Sequence, residues 1–312
     1  MGVVPVEDRL AALDGAESAI VLGSGNGAVL CTLLSLLRNG DHVLVSKWID
    51  DATTRVFTRD LENHNVDVSF IDPTETRAWR RAARSETRAV FVALPYDGGR
   101  RLMELEPMRA LTQTSSIALI IDASPLSPTT FRPLAHGADI VVRTAAARLA
   151  GDSRAVGGVV CGAEALIDEV RANMRRWSVT PSPTTLEALA TGLDSLDARS
   201  RRQETTAAAI VQWARQRDEV QRVEYFGIAS HDDHALASAL LDGFGSTATL
   251  HFRGGTPKSV AYRARLRLFV AREESDSGLV STASVAPAGA LQLNIGLEDA
   301  TSLIADLTQA ME

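Results

Sequence analysis

Residues 18–40 read SAIVLGSGNGAVLCTLLSLLRNG, and their order sets the class of the fold. Ser18–Leu22 is a short apolar run of strand length. Gly23-Ser24-Gly25-Asn26-Gly27 interrupts it with a glycine-rich turn. Ala28–Leu37 then continues as an apolar helix that stops at Gly40. Strand, tight turn and helix in that order are the first parts of a βαβ unit. Outward from this stretch the pattern repeats. Strand-like runs occur at His42–Ser46, Val66–Ile71, Ala89–Ala93, Ile117–Asp122, Ile140–Arg143 and Gly157–Cys161. Helical patterns fall between them at Asp51–Glu62, Thr74–Arg84 and Glu104–Thr112. Apolar strands alternating with helices predict an α/β fold with a mostly parallel sheet, buried on both faces.

The remainder of the chain reads differently. A loop at Ser178–Pro183 precedes a long helical region over Thr185–Arg217, expected to bridge two lobes. Beyond it, strands are expected at Gln221–Phe226, Thr247–Phe252, Arg265–Val270 and Leu291–Ile295, and helices at Asp233–Leu241 and Leu297–Met311. The polar stretch Glu273–Ser284 reads as an exposed loop. The division expected is a large domain over 1–189 and a small C-terminal α+β domain over 190–312, a two-domain layout that 312 residues accommodate.

Composition narrows the function classes. The net charge is −7, which disfavours nucleic acid and anionic membrane as partners. No run approaches the ~20 apolar residues needed to span a bilayer, and the first residues lack a signal-peptide pattern, so cytoplasm is the expected compartment. Two cysteines, Cys31 and Cys161, exclude a disulfide framework. His231 and His234 frame HDDH, but the stretch reads as a helix entry capped by aspartate, and no metal site is expected. Of 32 lysine and arginine residues only Lys47 and Lys258 are lysines, so chemistry that needs a lysine amine has two sources.

Two features carry candidate chemistry. The turn at Gly25 and Asn26 opens a helix, where free backbone amides attract anions; an anionic small molecule is the ligand class expected. Asp122 ends an apolar strand and needs a partner or a proton. Arg143 and Arg148 are its expected partners, with Asp50 and Asp97 adding acidity nearby.

The stretch 138–162, ADIVVRTAAARLAGDSRAVGGVVCG, resembles the cofactor-lysine region of the Cys/Met-metabolism family of pyridoxal-phosphate (PLP) enzymes, the cystathionine synthase and lyase group. LAALDGAESAIVLGSGNGA (10–28) resembles the family's first helix and phosphate loop, and GDHVLVS (40–46) its second unit. LIIDASPLSP (119–128) resembles the strand that carries the cofactor-nitrogen aspartate, and LQLNIGLEDATSLIADL (291–307) the closing strand and helix. The resemblance runs in order through nearly the whole chain. It implies the fold-type I PLP-transferase architecture, aspartate aminotransferase-like, with a seven-stranded sheet and a homodimer or higher oligomer. Asp122 takes the place of the pyridine-nitrogen aspartate. Gly25, Asn26, Ser124 and Thr144 match vestiges of the cofactor cradle.

Other positions depart from the family pattern. Where the family reads roughly S-A-T-K-Y-L-G-G-H, this chain has Thr144-Ala145-Ala146-Ala147-Arg148-Leu149-Ala150-Gly151-Asp152. The Schiff-base lysine position is thus Ala147, and alanine supplies no amine. The stacking tyrosine of L-Y-G is matched by Ile49-Asp50-Asp51. T-P-S-N-P becomes Leu94-Pro95-Tyr96-Asp97-Gly98, and the substrate-carboxylate arginine becomes Gln292. The family's N-terminal arm is expected to be missing. The expectation is a degenerate homologue unable to form the internal aldimine, with no cofactor or at most PLP held non-covalently. It would serve as a pseudoenzyme or as a non-catalytic subunit, alone or with an active paralogue. The alternatives are a PLP-independent enzyme or small-molecule binder that reuses the cleft, and a carbon–sulfur lyase or γ-synthase with non-covalent PLP.

Overall fold

A computed structural model describes residues 5–113, 116–271 and 278–312. Seven strands form the first sheet: β1 (Ser18–Leu22), β2 (His42–Ser46), β3 (Asp67–Ile71), β4 (Thr87–Ala93), β5 (Ala118–Asp122), β6 (Ile140–Thr144) and β7 (Gly158–Gly162). Their spatial order is β1-β7-β6-β5-β4-β2-β3. β3, β2, β4, β5 and β6 run parallel, and β7 is antiparallel to both its neighbours, β1 and β6. The fold-type I architecture expected from the resemblance is thus present.

Successive residues of a strand face opposite sides of the sheet. Val90, Val92, Leu119 and Ile121 face one core, closed by Trp79, Met108 and Leu189. Ala89, Phe91, Ile120 and Val142 face the other, closed by Cys31, Leu33, Phe57 and Ile167. Those covering residues come from α4 (Thr76–Ala82), α5 (Glu106–Thr112) and α7 (Pro183–Asp194) on one side. On the other they come from α2 (Gly25–Leu36), α6 (Glu164–Arg176) and the wide turn Val56–Asp60 after α3 (Asp51–Arg55). α1 (Val6–Asp14) packs beside β1 and β7, and its last residue makes a buried ion pair with β6: Arg143 gives Asp14 two bonds, of 2.7 and 2.9 Å.

The small domain carries a second sheet, in the order β10-β11-β12-β9-β8. Its strands are β8 (Val220–Glu224), β9 (Thr247–Phe252), β10 (Val270–Ala271), β11 (Thr282–Val285) and β12 (Leu291–Asn294). α8 (Leu196–Ala214), α10 (Thr256–Arg265) and α11 (Ala300–Met311) cover it, while α9 (His234–Leu240) packs toward the first core. The bridging helical region is two helices broken at Ser195, and the packing changes along the second. Leu189, Leu193 and Leu196 belong to the first core, whereas Ala207, Ile210 and Val211 belong to the core of the small domain, with Leu250 of β9 and Leu293 of β12.

Three local readings change. α2 begins at Gly25 rather than Ala28, because Ser24 caps it by accepting from the Gly27 amide at 2.9 Å. Arg265–Val270 is not a strand: Arg265 closes α10, and only Val270–Ala271 pairs with β11. Of the loop expected over 273–284, residues 273–277 lie outside the described residues, and Thr282–Val285 is strand β11. Its polar residues concealed it, yet Thr282 and Ala283 are buried against β12. No helix among the described residues is long and apolar enough to cross a membrane.

Candidate functional site

The parallel strands end on one edge, where an open α/β sheet presents its ligand crevice. Asp122 closes β5 there, level with Ala93 of β4. Its carboxylate accepts from the Ser124 hydroxyl at 2.5 Å and from the Ser124 amide at 2.9 Å. The Ser124 hydroxyl in turn accepts the Thr144 amide at 2.9 Å, tying β5 to the end of β6. Burial pushes the Asp122 carboxyl up from the ordinary aspartate range, the Ser124 hydrogen bonds pull it back, and the charge of Asp50 adds a smaller upward push. The chain of hydrogen bonds Thr144 to Ser124 to Asp122 holds one desolvated carboxyl in a fixed orientation.

The turn before α2 borders this group. The amides of Gly25 and Asn26 head the helix with no acceptor among the described residues, as first-turn amides do. Glycine is required at position 27: an added Cβ would stand 2.5 Å from Val179 Cγ1 and 2.7 Å from Ser24 Oγ. A Cβ at Gly25 would sit 3.3 Å from Thr144 Cγ2, which shows how close the turn lies to the end of β6.

The other expected site residues have different duties. Asp50 caps α3, accepting from the Ala52 and Thr53 amides and the Thr53 hydroxyl. Asp97 has φ 51° and accepts from Arg100 at 2.7 Å. Arg148 donates to the Ser246 hydroxyl at 2.7 Å. Arg143 does not line the cleft as expected. It is 1% exposed, bound to Asp14, and it also donates to the carbonyls of Ala123, Leu126 and Phe131. Strand alternation turns its side chain away from the crevice toward α1. The partner of Asp122 is therefore a neighbouring hydroxyl, not an arginine.

Sequence reading missed the contacts that join the two domains across the loop Pro95–Arg101. Arg100 reaches Glu224 of β8 at 3.6 Å. Arg101 pairs with Asp233 at 2.8 Å, and Asp233 also accepts the Leu102 amide. Gln292 donates to the Gly98 carbonyl at 2.6 Å. Glu224 also accepts from His251 at 3.1 Å and Arg222 at 2.5 Å, and the His251 hydrogen bond together with the neighbouring arginine charges holds its carboxyl at about 2 despite burial. For the ion pairs the signal in the sequence was charge, which does not reveal its partner, and the Gln292–Gly98 contact carried none.

Neither lysine belongs to Ala146–Ala150, the wide turn that follows β6. Lys47 follows β2 and pairs with Asp72, whose carboxyl it helps to hold at about 2. Lys258 sits in α10 with its ammonium 5.6 Å from the centre of the Tyr262 ring.

A family profile described as Cys/Met metabolism PLP-dependent enzyme matches residues 3–312. The chain is 29% identical to the O-succinylhomoserine sulfhydrylase of Pseudomonas aeruginosa, over 98% of this chain and 80% of the relative. It is 31% identical to a probable cystathionine gamma-synthase of Herpetosiphon aurantiacus, over 83% and 81%. It is 26% identical to the L-methionine gamma-lyase of Pseudomonas putida, over 98% and 82%.

These matches correct the expectation of no cofactor, since the family that covers the chain is PLP-dependent. The residues present fit part of such a group. Asp122, a desolvated carboxyl at the head of the crevice, would face the pyridine nitrogen, and the open amides of Gly25 and Asn26 beside Thr144 would hold the phosphate. Bound there, PLP supplies an electron sink for carbanions. The turn Ala146–Ala150 offers no amine for a covalent link, so that part of the site does not fit. Over its whole described length, in fold, crevice and sequence, the chain belongs to the Cys/Met metabolism PLP-dependent enzyme family.

Proposed function

We propose that this chain is a pseudoenzyme of the transsulfuration group, a subunit that keeps the family's fold and crevice without lysine-dependent catalysis. The carrying observation is the turn Ala146–Ala150, which contains no amine, while both lysines of the chain are engaged elsewhere. Lysine chemistry in this fold needs one flexible amine that forms the covalent link and then moves protons. Asp72 fixes Lys47, and α10 places Lys258 in the small domain. Two further observations support the reading. Gln292, at the position of the substrate-binding arginine, is neutral and spends its amide on Gly98, and Asp97 is neutralised by Arg100. In this reading the protein acts in the cytoplasm as a homodimer or as the non-catalytic partner of an active paralogue.

The test is titration of the purified protein with PLP, borohydride reduction and peptide mass analysis, alongside assays with L-methionine and with O-succinylhomoserine plus sulfide. The expected result is no lysine adduct and no turnover. A reduced adduct on Lys47 or Lys258, accompanied by turnover, overturns the proposal.

A second reading, a small-molecule binder that reuses the crevice, is favoured by Asp122. A desolvated carboxyl held by one serine is what an exact ligand partner would need. It requires that Asp122→Ala and Arg148→Ala each abolish a metabolite-induced thermal shift. No shift in the unaltered protein across an amino-acid and phosphate-ester panel would sink it.

A further inference from the structure

A second cleft, distinct from the crevice, lies between α7, the start of α8 and the loop Ala150–Arg154. It has a volume of about 380 Å³. At its floor is Arg199, 8% exposed. The guanidinium gives Nε to the Ser195 hydroxyl at 3.1 Å, and Nη2 to the carbonyls of Leu149 at 2.8 Å and Gly192 at 3.0 Å. Its Nη1 has no acceptor among the described residues, and no carboxylate there pairs with the cation. Burial lowers its affinity for the proton, the mark of a charge taken out of water without a counter-ion.

The loop is shaped around this group. Gly151 has φ 62°, and an added Cβ would stand 2.8 Å from Arg199 Nη1. Only glycine meets both conditions. On the rim, Asp152 and Arg154 satisfy one another through three side-chain bonds. The Glu187 carboxylate does not share in that pair and has no partner among the described residues. Thr184 and Thr191 add hydroxyls. One cleft thus holds an unneutralised buried cation and an open carboxylate that do not meet each other.

We propose that this cleft binds a small α-amino acid, with its carboxylate on Arg199 Nη1 and its ammonium toward Glu187. Carboxylates are the natural acceptors of guanidinium hydrogens, and a zwitterion answers both charges at once. Arg199 also holds the Leu149 carbonyl, so an occupant here braces the turn Ala146–Ala150 from behind.

The test is isothermal titration of the purified full chain with L-alanine, propionate and propylamine. The expected order places L-alanine at least about tenfold tighter than either half-molecule, a gap of about 1.4 kcal/mol. Arg199→Gln removes the anchor and should abolish binding. Because a buried substitution can unfold the chain, Thr191→Trp is the second variant. Thr191 is exposed on α7, so an indole there fills the cleft while the fold stands. Loss of L-alanine binding in a folded Thr191→Trp protein supports the site. No saturable L-alanine binding, propionate as tight as L-alanine, or unchanged binding by Thr191→Trp each overturns it.

Discussion

Glu224→Gln offers a quantitative check on how the two domains are held together. Glu224 faces His251 at 3.1 Å, Arg222 at 2.5 Å and, across the domain boundary, Arg100 at 3.6 Å. The His251 hydrogen bond, followed by the charges of Arg222, His251 and Arg100, moves its carboxyl from the ordinary 4.5 to about 2 against the upward pull of burial. A shift of about 2.5 units at about 1.4 kcal/mol each gives an upper value near ~3 kcal/mol. The side chain is 15% exposed, so solvent screening lowers the expected contribution to about 2 kcal/mol. The folded value lies below the unfolded one. The stabilisation is therefore complete above the unfolded value of 4.5 and is lost as the pH falls toward 2. Urea unfolding of the two proteins, with an unchanged slope, should show Glu224→Gln weaker by about 2 kcal/mol near neutrality, with the gap reduced to less than half by about pH 3 and closing near pH 2. A gap below about 0.5 kcal/mol near neutrality, or one that persists undiminished in acid, would refute the assignment.

Three further outcomes follow from the same geometry. Asp14→Ala strands the buried Arg143 cation and should cost about 3–5 kcal/mol, whereas Asp14→Leu with Arg143→Met should recover most of that loss in a double-mutant cycle; additive losses would contradict a coupled pair. Asp122→Asn removes a carboxyl whose proton affinity is raised on folding. Such a group destabilises once the pH rises above its unfolded value, so the variant should be the more stable protein near neutrality and no different in acid, as read by urea midpoints against pH. Ser24→Ala deletes the cap on α2 and should cost about 1 kcal/mol in the same assay, without a change of slope; a neutral result would mean that water replaces the cap freely.

The large domain was legible because its signals are local. A strand buried on both faces is an apolar run of about five residues, and the glycines between strand and helix mark where the backbone must turn. β1, β2 and β9 begin and end where the pattern places them. α6 and α10 went unread, although α6 has Ile167 and Val170 as its buried stripe, because polar residues dominate both helices. β11 hid for a different reason: a serine- and threonine-containing strand is apolar only once its hydroxyls have found partners.

The sequence by itself determined the chemistry available. It placed two lysines in the chain and none between residues 138 and 162, an aspartate at the end of an apolar strand, and glycines at the turn before α2. Tertiary structure decided which charges meet. Arg143 and Asp122 are close in the sequence pattern yet serve different faces of the sheet, because alternate residues of a strand point to opposite sides. Arg143 found Asp14 and Asp122 found Ser124. Arg101 met Asp233, and Gln292 met Gly98, across more than a hundred residues of chain. Residue type fixes which bonds a side chain is able to make; the packing of sheets and helices fixes which partner stands within about 3 Å to make them.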